Sequence, residues 1–454
     1  MEMTRRHAIV VGGSMAGLGA ARALANHFDR VTLVERDELT TSTANRKGTP
    51  QAQHAHGLLA SGYRILSGYF PKMMDELVAD GAMPGDLTGD FLWYQYGGWK
   101  LRSNCGLEGI VVSRPHLERK VRERVLALPK ITLLQGHDGK EPVFDPGTRR
   151  VTGLRVRNHS TGAISTLDAD LVVDALGRGS SSPKWLASWG YGEVTETNVP
   201  IEVGYATGVF ERHPGDLYGS IGAVIAGTAP QSTRYAAILG AESNRWIITL
   251  AGCLRDYPPT DFTGWKEFAR TLPTPDVVDL VKDRAPIGPI VSYRFPANRH
   301  RHYEKLKDFP DGYLVMGDAV CSFNPIYGQG MSVALTEARA LDGCLAAGDD
   351  DLAKRFFREV TRIVANPWAI ATGEDYRYPK VEGRRPPGFT IVSRYMERAH
   401  RAATKDAVVL RRFFEVASLL APPPSMMAPG IAWRVFLGGG GVLRKTSPAR
   451  KATP

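Results

Sequence analysis

The stretch Ala8-Ile9-Val10-Val11-Gly12-Gly13-Ser14-Met15-Ala16-Gly17, continued by Val31-Thr32-Leu33-Val34-Glu35, decides the fold. A run of four apolar residues meets a turn of small residues. Ala20, Ala21, Leu24 and Ala25 follow at helical spacing, and a second apolar run ends on an acid. The order is strand, tight turn, helix, strand, acid. This is a dinucleotide-binding fingerprint with Ser14 in place of the second glycine. Gly12 permits the tight turn, a small residue at 14 lets backbone approach a pyrophosphate, and Gly17 lets helix and strand pack closely. The helix start presents free N–H groups and a partial positive charge to phosphate. Glu35 can accept hydrogen bonds from both hydroxyls of an unphosphorylated ribose.

Outward from this motif, 454 residues of ordinary globular composition allow two or three domains, or two large interleaved ones. The four cysteines, Cys105, Cys253, Cys321 and Cys344, form no CxxC pair. No zinc site or disulfide framework is expected, and a reducing, cytoplasmic location is. Met1 to His7 is too short and polar for a signal peptide, and no uncharged apolar run reaches membrane-spanning length. The formal charge is +10, with arginines spread along the chain. No helix-turn-helix, zinc-finger or RNA-binding aromatic pattern occurs, so no nucleic-acid partner is expected.

Residues 45–59 read as a polar loop entering a helix. His54 and His56, two apart, do not share a helix face, so no metal pair is expected. The loop reads either as a cofactor contact, with Arg46 near phosphate or ribityl oxygens, or as a solvated loop with a buried histidine. Residues 63–80 read as one amphipathic helix. Phe91 to Trp99 is aromatic and β-prone, turning at Gly97-Gly98; it reads as a pocket wall or as sheet core. Ser113-Arg114-Pro115-His116-Leu117-Glu118 starts a capped helix, with Arg114 set to reach a cofactor or to make a surface ion pair.

Ile131–Leu134 and Val151–Val156 read as strands, and Leu171 to Asp174 as a buried strand ending in the turn Leu176-Gly177-Arg178-Gly179. Residues 195–300 alternate in the manner of a largely β domain, interrupted by two short helices at Trp265–Leu272 and Pro275–Lys282. Then Tyr313-Leu314-Val315-Met316 leads through Gly317-Asp318 and Asn324-Pro325-Ile326-Tyr327-Gly328-Gln329-Gly330-Met331 into a helix. A carboxylate at a strand end can hold a sugar hydroxyl, and the helix start favours negative charge on a ligand. Two phosphate-and-sugar sites far apart in sequence fit one extended cofactor. Beyond 350 the chain reads as helical and basic, broken at Asn366-Pro367-Trp368 and at Tyr376 to Pro379. The proline-interrupted apolar stretch Leu419–Trp433 reads as packed on the main body rather than as a membrane-surface helix, and the tail from 441 as disordered.

These residues together resemble the FAD-dependent monooxygenases of the p-hydroxybenzoate hydroxylase fold. Within that group they look most like the flavin epoxidases of ionophore polyether biosynthesis, through Pro50 to His56, Val173 to Ser180 and Gly317 to Met331. The resemblance implies α/β plus α+β architecture: a Rossmann-like FAD-binding domain (1–84, 105–194 and 300–350), interleaved with a largely β substrate domain (85–104 and 195–299). A helical C-terminal region (351–440) and a tail (441–454) follow. It implies FAD held by Gly12, Gly13, Ser14, Met15, Ala16, Gly17, Glu35, Arg36, Arg46, Gly48, Gln51, His56, Arg114, Gly177, Gly317 and Asp318, with the flavin ring near Pro325, Gly328, Gln329, Gly330 and Met331.

One departure matters. Leu176 precedes Gly177 where the aromatic hydroxylases carry an aspartate serving FAD and NADPH. Reducing equivalents are therefore expected from NAD(P)H directly or through a flavin reductase. The implied reaction is epoxidation, or hydroxylation, of an apolar small molecule by O₂ through a flavin C4a-hydroperoxide, in secondary metabolism. No protein nucleophile, catalytic base or metal is assigned. A flavin-dependent alkene reductase and a non-catalytic FAD-binding protein are the alternatives. The aromatic side chains of 195–300, among them Tyr205, Phe210, Tyr235 and Trp246, suit a long apolar ligand.

Overall fold

The computed structural model describes residues 6–39 and 46–438. Its first sheet is parallel, in the order Tyr313–Val315, Leu171–Asp174, His7–Val11, Arg30–Val34, Ile131–Leu134. The central strand, His7–Val11, is buried along its whole length, as expected of a strand covered on both faces. Helix Met15–Leu24 follows it and packs on helix Gly330–Ala346. Gly19 makes that crossing close: a Cβ there would stand 3.0 Å from Ala338 Cβ.

The second large sheet has eight strands. Their order is Cys321–Ser322, Val291–Arg301, Glu196–Glu211, Arg245–Gly252, Arg234–Ala241, Gly222–Ala226, Phe91–Gln95 and Gly98–Trp99. Segments from three distant parts of the chain thus share one sheet. One face packs on helices Phe262–Arg270 and Asp276–Val281, through Phe210, Trp246, Ile248 and Trp265. The other carries Tyr205, Tyr235, Cys253 and Phe295. A three-stranded antiparallel sheet, Ile164–Asp168, Arg150–Asn158 and His137–Asp145, hangs beside the parallel one. Helices Phe389–Ala402, Ala407–Ala417 and Pro429–Gly438 close the C-terminal side around a core of their own. The architecture is the mixed α/β expected: a Rossmann-like parallel sheet, a strand-rich second unit and a helical C-terminus. The expected tail at 441–454 lies outside the described residues.

Three local readings need correction. The helix expected over 63–80 is two helices, Ala60–Tyr69 and Met73–Ala79. Pro71 disfavours a helical residue before it, and Lys72 is left-handed (φ +69°), so the chain turns there. The hairpin after Gln95 turns on Tyr96 (φ +55°) and Gly97 (φ +79°), not on the paired glycines. Helix Leu352–Asp375 continues through Pro367. Phe356, Phe357, Val360, Val364 and Ala371 bury one face of it. That packing outweighs the roughly 3 kcal/mol an interior proline costs.

Candidate cofactor and substrate site

The turn after the first strand is shaped by contact. A Cβ at Gly17 would fall 1.7 Å from the Gly12 carbonyl oxygen, and one at Gly12 would meet the Ala175 oxygen at 2.7 Å. Gly12 is also left-handed, at φ +105°. The Gly13 N–H donates to Glu35 Oε2 (2.7 Å), and the Asp37 N–H to Glu35 Oε1 (2.9 Å). The acid at the end of the second strand is thus drawn to the glycine turn, as the fingerprint requires.

A charged knot lies at this helix start. Ser14 does not cap its helix; its hydroxyl donates to Glu118 Oε2 (2.9 Å) and accepts from Arg114 (2.9 Å). Arg114 and Arg46 both pair with Glu118, and Arg46 also lies 3.3 Å from Glu35. Burial alone would raise the Glu118 carboxyl, but Arg114 and Arg46 hold it below the ordinary range. Arg46 Nη1 makes no hydrogen bond of its own but is ion-paired with Glu35 Oε2 (3.3 Å) and Asp37 Oδ2 (3.7 Å). The N–H groups at the start of helix Met15–Leu24, with Arg114 beside them, make a place where an anion fits. Gly48 joins the knot through its N–H on Asp37 Oδ2 (2.8 Å), while Arg36 is exposed beside it.

The second motif folds onto the first. Gly317 (φ +66°) sits against Ala16, where a Cβ would approach the Ala16 methyl to 2.7 Å. Asp318 stands between two other turns: a Cβ at Gly177 would lie 3.7 Å from its Cβ, and one at Gly330 3.9 Å from Oδ1. Desolvation pushes the Asp318 carboxyl up, against the pull of Arg178, Arg114 and Arg299. Yet Asp318 is open to solvent, as are Pro325 and Gly330 nearby. Gln329 is buried with an unpartnered Oε1, and Met331 is buried at the start of the helix. Glu337 takes the Gly317 N–H, and burial raises its carboxyl to about 8.

The loop at 50–58 is tied to the eight-stranded sheet. His54 Nδ1 is 2.7 Å from Thr207 Oγ1, and the Ala55 N–H donates to Thr249 Oγ1. His54 is neutral, its pKa lowered by burial to about 4. His56 is lowered further, to about 3, by burial and then by Arg114. Gln51 is half-buried in the short helical turn before them.

Across the sheet, Tyr293, Tyr205, Ala251 and Tyr235 pair in one register row. The Tyr205 hydroxyl donates to Asn324 Oδ1 at 3.3 Å, and Tyr235 bonds Tyr378 at 2.8 Å. This row therefore borders the Asn324–Gln329 loop. Trp246 is not brought to it. It is fully buried on the opposite face, opposite Phe210 in register, with its ring N–H on Asp216.

Asp375, which carries no sequence signal, occupies the junction. It is buried and accepts from Asn298 Nδ2 (2.7 Å), Asn324 Nδ2 (3.1 Å) and the Tyr327 hydroxyl (3.1 Å). Desolvation raises its carboxyl to about 7 even against those three donors. Glu118 was more legible, since it stands four residues after Arg114 on one helix face. A further cluster, His300, His302 and Glu304, groups metal-type donors among the described residues, but His302 already bonds Glu304 (2.8 Å) and Thr197 (2.8 Å).

A family model described as FAD dependent oxidoreductase matches residues 8–199. Protein Rv3254 of Mycobacterium tuberculosis is 33% identical over 435 residues, spanning 92% of this chain and 91% of that protein. Kynurenine 3-monooxygenase of Salinispora arenicola is 26% identical over 80% of this chain and 77% of that protein. The solved structure of p-nitrophenol 4-monooxygenase PnpA from Pseudomonas putida superposes with a TM-score of 0.65, at 17% identity, over 92% of this chain and 99% of that one. The chain belongs to one family with Protein Rv3254, and its residues 8–199 carry the match to the FAD dependent oxidoreductase model. Its fold is that of the flavin monooxygenases. Among the described residues, no helix is long and apolar enough to cross a membrane.

Proposed function

We propose that this protein is an FAD-dependent monooxygenase that epoxidises, or else hydroxylates, an apolar small molecule with O₂, in secondary metabolism. The observation that carries the reading is the bond from Tyr205 to Asn324, which sets an aromatic sheet face beside the loop at the start of helix Gly330–Ala346. In this reading segments 1–84, 105–194 and 300–350 hold the cofactor, and 85–104 with 195–299 the substrate.

The residues divide the work. Gly12 to Gly17, Arg46 and Arg114 take the pyrophosphate, Glu35 the adenosine ribose and Asp318 the ribityl chain. The N–H groups at Gln329 to Met331, at the start of their helix, would favour negative charge on the ring of a bound flavin. Bound FAD, once reduced by NAD(P)H or by a reductase partner, supplies the oxygen chemistry. The protein excludes water and holds the substrate in line, tasks suited to the Tyr293–Tyr205–Tyr235 row. Asp375 can hold or release a proton at Oδ1 toward the Tyr327 hydroxyl, since its pKa lies near neutrality.

The experiment is aerobic turnover of a polyene library, with matched phenols, under ¹⁸O₂ and reduced flavin. One labelled oxygen in an alkene-derived epoxide is the expected result. Conversion of phenols with alkenes untouched would reject epoxidation. Saturated products formed without O₂ would replace the reading with an alkene reductase.

A further inference from the structure

Arginines are spread along this chain, but its net charge is not. Residues 1–383 hold 44 basic and 44 acidic side chains, and residues 384–454 hold 13 basic and 3 acidic. The whole +10 therefore belongs to residues 384–454, which are the three C-terminal helices with the short segments just before and after them. Beyond the last helix the charged residues are Arg444, Lys445, Arg450 and Lys451, and no acid accompanies them. On the helices the three acids are already engaged: Glu397 with Arg377 and Arg401, Asp406 with Arg434, and Glu415 with Arg411 and Arg412. Arg394 and Arg398 are exposed on helix Phe389–Ala402.

An apolar surface coincides with this charge. The last helix, Pro429–Gly438, is apolar on two faces. Ile431 and Val435 are buried against the helical core, whereas Trp433, Phe436 and Leu437 are exposed by 60–67%. A helix with two apolar faces ordinarily has both covered. The exposed face continues onto helix Phe389–Ala402: Phe436 lies 6.1 Å from Tyr395 and beneath Arg398, and Ile391, one turn before Tyr395, is 76% exposed. Met427 and Val392 are exposed as well.

We propose that this C-terminal face docks peripherally on an anionic lipid bilayer, with Trp433, Phe436, Leu437 and Ile391 entering the headgroup boundary and the surrounding cations facing anionic headgroups. Aromatic and aliphatic side chains amid an excess of arginine and lysine match that surface on both counts. A nucleic-acid backbone would use the charge but leave the apolar face uncovered. The helix is too short to span the bilayer, so the contact is superficial; it departs from the expectation that Leu419–Trp433 only packs on the main body, because Ile431 packs inward whereas Trp433 is 65% exposed. The inference is independent of the reaction catalysed.

The test is co-sedimentation of the full chain with vesicles of phosphatidylcholine alone and of phosphatidylcholine mixed with phosphatidylglycerol. Binding to the mixed vesicles, weakened by salt, is expected. The double variant Trp433→Glu, Phe436→Glu should bind at least about tenfold less, with unchanged FAD content and unfolding midpoint. Absence of binding to the mixed vesicles would overturn the proposal. So would equal binding by the variant, or binding to duplex DNA with vesicles left untouched. A concentration-dependent dimer that the variant disperses, without vesicle binding, would assign the face to a second copy of the chain instead.

Discussion

Gly317 rests on Ala16, so closely that a Cβ at 317 would stand 2.7 Å from the Ala16 methyl. The contact joins two glycine turns from opposite ends of the cofactor-binding sequence, and Gly317 makes it in a left-handed conformation. Gly317→Ala should therefore cost about 1–3 kcal/mol of stability, through backbone strain and overpacking. Denaturant unfolding of the apoprotein measures this, and FAD content should fall with it. A variant as stable and as yellow as the parent would show that the two turns yield.

Glu35→Ala and Asp318→Ala should each weaken FAD binding by about 1.5–3 kcal/mol, the usual loss for a hydrogen bond to a charged group. Calorimetry on refolded apoprotein decides it. Unchanged affinity in both variants would move the cofactor away from the two motifs.

Burial holds the Asp375 carboxyl up at about 7, above the roughly 3.9 of an unfolded aspartate. The folded chain therefore binds this proton more tightly than the unfolded chain does. The stabilisation is fully present below about pH 4 and is lost as pH rises through about 7. Asp375→Asn cannot titrate. Between about pH 4 and pH 7 the parent should lose stability relative to the variant, as read by unfolding free energies across that range. Parallel curves would place the proton elsewhere.

Leu176 is exposed at the turn before Gly177, where the aromatic hydroxylases carry an aspartate. NADPH alone should bleach the oxidised flavin slowly under anaerobic conditions, and an added flavin reductase should speed the bleaching. Fast, saturable reduction without a partner would show that this protein binds NADPH by another route.

Much of the fold was present in local sequence. The fingerprint specified the first strand, turn and helix because each glycine there answers a backbone requirement that no other residue meets at equal cost. The cap at Ser113 was legible for a similar reason: its hydroxyl accepts from the His116 N–H at 3.2 Å, an interaction confined to four consecutive residues. The strands of 195–300 followed from alternation, which reports burial on one face of a pleated chain.

What alternation leaves open is which face meets the site. Tyr205 and Trp246 both read as aromatics suited to an apolar ligand, yet register pairs Tyr205 with Tyr293 and Trp246 with Phe210, on opposite faces of one sheet. Pro367 marked a break that packing overrode. Asp375 gave no signal, because its meaning comes from Asn298, Asn324 and Tyr327, side chains that approach it only once the sheet and the long helix have packed. Sequence by itself determined the backbone-encoded parts: turns, caps and strand periodicity, whose energetics are local. Tertiary structure alone decided the side-chain constellations, because desolvation and long-range hydrogen bonds depend on what the fold brings alongside.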